Sequence, residues 1–277
     1  MQSKRRLLLA SLMAALTWLN PAHAQDTFKI GFILPMTGPF ASTGKQIEAA
    51  ARLYVAQNGG SVAGKKVELI FKDDTGAPDV TKRIAQELVV NDKVSVLAGF
   101  GLTPLALATA PIATQSKTPL VVMAAATSSI TEASPFVIRT SFALPQAAVA
   151  MGDWAANNGI KKAVTLVADY GPGIDAEKYF KERLLLNGAQ VLESLRIPMR
   201  NPDFAPFLQK VRDLKPDALF VFVPSGAGAA VMKQFLERGM DKAGIKLIGT
   251  GDVTDDDQLN DMGDGALGVV KIGRAHV

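Results

Sequence analysis

Short apolar runs alternate with amphipathic stretches along almost the whole chain, and this alternation most constrains what the sequence can fold into. Ile30–Leu34, Val67–Lys72, Val94–Ala98, Leu120–Met123 and Phe136–Thr140 have the length and composition of strands. Between them, residues 45–57, 80–90 and 104–115 repeat apolar side chains at helical spacing. Strand, helix, strand in this order requires parallel pairing. The unit then recurs, with helical patterns over 145–158, 174–186, 204–214 and 229–238 and strands at Ala163–Ala168, Val191–Ile197, Ala218–Val223 and Leu247–Gly249. The arrays meet near Thr140–Pro145. The expectation is an α/β protein of two lobes, residues 25–142 and 143–270, each a parallel sheet flanked by helices, with a cleft between them.

The ends of the chain read differently. Lys4, Arg5 and Arg6 precede an apolar stretch, Leu7–Leu19, and a small-x-small site, Ala22-His23-Ala24. Residues 1–24 are therefore expected to be a secretory signal peptide cut after Ala24, which implies a periplasmic protein. Beyond it no apolar run approaches the roughly 20 residues of a membrane span. At the other end, Ile272–Val277 looks like translated sequencing adapter. Residues 271–277 are expected to be a non-native tail, the natural chain to be longer, and the first lobe to be incomplete.

The formal net charge of +4 shrinks under this reading. Three of the positive charges are Lys4–Arg6 and the last is Arg274, so the body is close to neutral and carries no basic patch for nucleic acid. Cysteine is absent, and both histidines, His23 and His276, lie in the two end segments. Thiolate and Ser-His-Asp chemistry and Cys- or His-ligated metal sites are thereby excluded from the body.

In doubly wound sheets, ligands sit at the carboxyl ends of the strands. Those ends carry small, hydroxyl or glycine residues here: Thr37, Ser42 and Thr43; Thr103; Ala125, Ala126 and Thr127; Tyr170; Ser225; Asp252. Hydroxyls and exposed backbone N–H groups suit a carboxylate ligand and are poor at moving protons near neutral pH. Competing motifs are incomplete. Gly99-x-Gly101 lacks the third glycine of a dinucleotide loop, and Gly171-Pro-Gly173 lacks the Lys-Ser/Thr ending of a P-loop. Ser225 lacks the glycine that a nucleophile elbow places two residues earlier. The acids at 252 and 255–257 lack the glycine and glutamate of a calcium loop. No cofactor or metal is expected.

The stretch Lys29-Ile-Gly-Phe-Ile-Leu-Pro-Met-Thr-Gly-Pro-Phe-Ala-Ser-Thr-Gly44, with Asn58-Gly-Gly60, Asp73-Asp74, Ala126-Thr127, Thr131, Phe142, Tyr170-Gly171 and Asp203-Phe204 following in order, resembles the leucine/isoleucine/valine-binding family of periplasmic solute-binding proteins of ABC transporters. The resemblance covers about Phe28 to Val270. It implies a type I clamshell that closes on an amino acid or other small carboxylate and delivers it to a membrane permease and its ATPases. It also implies that Thr103 and Ala125–Thr127 hold the carboxylate, that Tyr170 serves the ammonium side, and that Ala41–Thr43 pack on the ligand's side chain. The position where the family's amino-acid binders place an acid falls at Gly251, beside Asp252, and Pro224-Ser225 stands where an aromatic is usual. The ligand is thus left open between an aliphatic amino acid and an aromatic or other carboxylate. A clamshell sensor and an exported α/β enzyme are the alternative readings.

Overall fold

The computed structural model describes residues 26–199, 202–224, 226–254 and 259–273. The segments expected to be a signal peptide and the end of a tail, together with Ser225 and Asp255–Asp257, lie outside the described residues.

The first lobe opens with β1 (Thr27–Leu34), α1 (Ala41–Gln57) and a hairpin of β2 (Ser61–Val62) and β3 (Lys65–Asp73). It continues with α2 (Pro78–Val90), β4 (Val96–Gly99), α3 (Thr103–Ser116), β5 (Leu120–Val122), a 3-10 turn (Ser128–Glu132) and β6 (Val137–Arg139). Its strands lie in the order β2-β3-β1-β4-β5-β6. All pairings in this sheet are parallel except that of β2 with β3. The hairpin turns through Ala63 and Gly64, both at positive φ, as a two-residue turn between twisted strands requires. The sequence pattern gave only the glycine stop before it.

The chain passes through residues 140–143 into the second lobe, which runs α4 (Leu144–Asn157), β7 (Lys162–Ala168), α5 (Gly171–Leu186), β8 (Gln190–Ile197), α6 (Ala205–Leu214), β9 (Ala218–Phe222), α7 (Gly228–Glu237) and β10 (Lys246–Thr250). A 3-10 turn (Gly251–Val253), the short α8 (Leu259–Met262) and β11 (Val270–Ile272) follow. The order is β11-β10-β9-β7-β8, parallel throughout. The expected tail boundary after Val270 falls inside β11, where Lys271 and Ile272 continue the pairing, opposite Gly249 and Thr250. An extended segment here satisfies the backbone groups on the open edge of β10.

Alternation along each strand divides the core into faces. Val164, Leu166, Leu219 and Val221 pack toward α6 and α7, whereas Ala163, Val167, Phe220 and Phe222 pack toward α4 and α5. There Phe180 stacks on Phe220 with ring centroids 4.0 Å apart. In the first lobe Ile33, Leu97 and Leu120 face α2 and α3, and Phe32, Leu34 and Ala98 form a smaller cluster on the α1 side. No helix among the described residues is long and apolar enough to cross a membrane.

Two helix starts differ clearly from the sequence expectation. α1 begins at Ala41 and α5 at Gly171, several residues before the periodic apolar pattern sets in. Asp79, expected to cap α2, lies in its first turn instead, and Ala77 is the capping position. Pro78 starts the helix because its fixed φ and missing N–H suit the first position. Asp203 does accept the Ala205 N–H at 2.9 Å, although Phe204 occupies the cap position of α6.

Candidate functional site

Both sheets reverse their strand order beside their first strand. In the first lobe the chain moves from β1 out to β3 and returns on the other side at β4. In the second it moves from β7 to β8 and returns at β9. Such switch points open a crevice at the carboxyl ends of the strands, and here the crevices face each other. The walls of the resulting cavity come from those ends: Pro35, Phe40 and Thr43 after β1, Gly101–Thr103 after β4, and Ala124–Ala126 after β5. The second lobe supplies Tyr170 and Pro172 after β7, Phe222 and Pro224 at β9, and Asp252 after β10, with Leu144 at the crossing. The cavity leaves about 40 Å³ open to the centre of a water molecule. One water needs a fraction of that.

The lobes meet across this cavity. A Cβ added at Gly171 would lie 2.5 Å from Thr127 Oγ1. At Gly226 an added Cβ would collide with the Pro39 carbonyl. The Ser128 N–H donates to Asp175 Oδ2 at 2.7 Å.

One end of the site is made for an anion. Helices α1, α3 and α5 begin at the cavity, and none has a side-chain cap or an acidic residue in its first turn. Their first N–H groups and positive dipole ends are therefore not countered by a side chain of their own helix. Thr103 opens α3, lines the cavity and shares a 2.8 Å hydrogen bond with the Thr127 hydroxyl. Both are buried. No cationic side chain lines the cavity among the described residues.

The other walls are apolar and aromatic. Tyr170 and Phe222 stack with centroids 6.0 Å apart, and Phe40, Leu102 and Leu144 complete the enclosure. Tyr170 is half-buried, yet its phenol end lies deep. Burial first, then the charge of Asp252, pushes its ionisation well above the ordinary tyrosine range. It therefore stays a neutral donor or acceptor. Asp252 Oδ2 faces the Thr250 hydroxyl at 3.5 Å.

Two carboxylates at the end of β3 hold the neighbouring turns, Asp73 the one after β1 and Asp74 the one after β3. Asp73 accepts from the Met36 N–H, the Thr37 hydroxyl and the Thr75 N–H, at 3.0, 2.6 and 3.0 Å. Partial burial pushes its ionisation up, but these hydrogen bonds outweigh it and hold the group below the usual carboxylate value. Asp74 is fully buried, its Oδ1 accepts the Gly76 N–H, and its Oδ2 has no partner. Burial raises it to about 6, against the Gly76 hydrogen bond and with a small push from Asp73.

The structure thus brings Thr43, Thr103, Ala125, Ala126, Tyr170 and Asp252 to one cavity. It sets others aside. Thr127 stands one step back, behind Thr103. Ser42 lies in the first turn of α1 and accepts a hydrogen bond from Gln46 Nε2 at 3.0 Å on the exposed side. The Ala125 N–H is committed to the Phe100 carbonyl at 2.9 Å. Ser225 is outside the described residues. Sequence reasoning missed Phe40, Leu102, Leu144 and Phe222, which look like ordinary core residues in a string, and Arg139. Its guanidinium donates to the Thr127 and Ser128 carbonyls at 2.6 and 2.9 Å. Burial lowers the ionisation of Arg139, opposed by the charge of Asp175. A lone cation at the end of β6 was the available signal.

A pair of α/β lobes that meet across a cavity lined from both defines a clamshell binding protein. Comparison with known proteins gives the family. A sequence family described as periplasmic binding protein matches residues 27–274, and the chain belongs to that family, with its type I fold. It is 40% identical over 268 residues to Leu/Ile/Val-binding protein homolog 6 of Brucella abortus (strain 2308), a match covering 96% of this chain and 68% of that protein. It is 63% identical, with a TM-score of 0.85, to a solute binding protein of an ABC transporter from Rhodopseudomonas palustris BisB5 solved in complex with 3,4-dihydroxybenzoic acid, over 88% of this chain and 67% of that one. A second solute binding protein of an ABC transporter from R. palustris, in complex with 4-hydroxybenzoate, aligns at 40% identity and a TM-score of 0.86, over 88% and 67% of the two chains.

Proposed function

We propose that the protein captures a hydroxylated benzoate and delivers it to an ABC importer, acting in the periplasm after export on a signal peptide at residues 1–24. The two lobes divide near residues 142 and 143. The observation that carries the ligand class is the pairing of an anion-suited pole with an apolar and aromatic enclosure. Thr103 and the N–H groups at the start of α3 and α5 receive the carboxylate. Ala126 lines the cavity beside them, while the Ala125 N–H is spent on Phe100. The ring lies among Phe40, Leu144, Tyr170 and Phe222, and Asp252 accepts its hydroxyl. The complexes of the two R. palustris proteins with hydroxybenzoates support this reading.

Binding stabilises the closed arrangement because both lobes contribute contacts that exist only when the cleft is shut. The permease and ATPase subunits are the partners, and the ligand leaves chemically unchanged. A second reading, an aliphatic amino acid with its ammonium on Asp252, is favoured by the name of the Brucella relative. Calorimetric titration separates them. Affinity for 4-hydroxybenzoate and 3,4-dihydroxybenzoate, with none for leucine or valine, is expected; the reverse order would favour the amino acid.

A further inference from the structure

The loop that carries Thr127 is gripped from both lobes. From its own lobe Arg139 holds the Thr127 and Ser128 carbonyls. From the second lobe Asp175 accepts the Ser128 N–H at 2.7 Å, and its charge acts on Arg139. Asp175 does not line the cavity. It lies four residues after Gly171 on α5, so the two share one helix face. That face sets Gly171 against Thr127 and Asp175 against Ser128. A rigid-body separation of the lobes would pull both contacts apart together.

We infer that Asp175 is a closure residue, a positioning group that grips the first lobe's Thr127–Ser128 loop when the cleft shuts and so sets the fraction of closed protein without touching the ligand. It contributes to affinity through the open–closed equilibrium, because a ligand of the closed state binds in proportion to that state's population. The chemistry is that of a charge-assisted hydrogen bond. It is stronger than a neutral one, and cheap to lose only if water replaces it on both partners. An exposed ion pair would contribute little; here Ser128, Arg139 and Asp175 are each partly covered. The role of Asp175 in affinity rests on the reading of the cavity as the ligand site, but its role in closure does not.

The chain has no cysteine, so two introduced cysteines report lobe separation cleanly. Lys45→Cys on α1 and Lys233→Cys on α7, both exposed and each on a helix that starts at the Pro39–Gly226 approach, carry spin labels for distance measurement. Measurements run with and without 4-hydroxybenzoate. Asp175→Ala should reduce the closed-to-open ratio about tenfold in both conditions and raise the concentration for half-closure by the same factor. Asp175→Asn keeps an acceptor for Ser128 but not the charge, and should fall between. Ser128→Pro removes the donor where the extended Thr127 backbone, ψ 135°, accepts a following proline. It should match Asp175→Ala, and the double variant should be no worse than either. Distance distributions for Asp175→Ala equal to wild type in both conditions would overturn the inference, as would a lowered melting temperature with unchanged distances. If wild type ignores 4-hydroxybenzoate, the proposed ligand fails, while the ligand-free distributions still decide the role of Asp175.

Discussion

Replacing Gly171 with alanine should prevent full closure while leaving each lobe intact. The added Cβ would stand 2.5 Å from Thr127 Oγ1 and 3.0 Å from Thr127 Cγ2. Thr127 has little freedom to yield. Its hydroxyl is tied to Thr103 at 2.8 Å, its carbonyl to Arg139 at 2.6 Å, and it is buried. Overpacking of this kind costs roughly 1–3 kcal/mol, and all of it falls on the closed state, because opening moves the clash away. The closed population and the affinity should both drop about 5- to 150-fold. The free protein should not suffer: alanine at a helix position is favoured over glycine by up to about 1 kcal/mol. Titration calorimetry against 4-hydroxybenzoate, with thermal melting of the ligand-free protein as control, reads both quantities. Unchanged affinity would show that Gly171 does not meet Thr127 in the bound state, and the closure geometry described above would be wrong.

Other expectations follow from single groups. Thr103→Val removes a buried donor to the anionic end and should weaken binding by about 1.5–3 kcal/mol, and because it strands the buried Thr127 hydroxyl it should also lower the melting temperature of the ligand-free protein; equal affinity by calorimetry would remove Thr103 from the site. Phe180→Ala deletes a fully buried ring stacked on Phe220 and should cost about 3–5 kcal/mol in denaturant unfolding; a loss below 1 kcal/mol would contradict the packing. Asp74 has a folded-state value of about 6, above the 3.8 of the exposed acid, so the folded state binds the extra proton. Its contribution is fully present below the unfolded value and is lost as pH rises through the folded one. Asp74→Asn should therefore gain on wild type as pH rises from below 3.8, by up to about 3 kcal/mol near pH 7; parallel stability curves would refute the buried charge.

Much of the fold could be read from the string because period and composition report local choices. The alternation that marks β4, β7 and β10 also places their carboxyl ends at the cavity, so Thr103, Tyr170 and Asp252 could be named in advance as lining it. Ser42 shows where local reading slips. The apolar pattern of α1 starts near Ile47, but the helix starts at Ala41, and those extra residues turn a loop hydroxyl into a partner of Gln46. Thr127 shows a second limit. It belongs to the right loop, but pairing with Thr103 across 24 residues of sequence sets it behind the wall. Asp175 and Arg139 come from different lobes, and nothing local to either announces the other. Phe40 and Phe222 read as core because enclosure of a ring and packing of a core call for the same side chains.

The most direct test of the account is a calorimetric titration of ligand-stripped protein with 4-hydroxybenzoate, with recovery of the acid afterwards. One-to-one binding in the micromolar range or tighter is expected, with the acid recovered unchanged. No binding of 4-hydroxybenzoate by protein that binds leucine, or conversion of the acid on recovery, would contradict it.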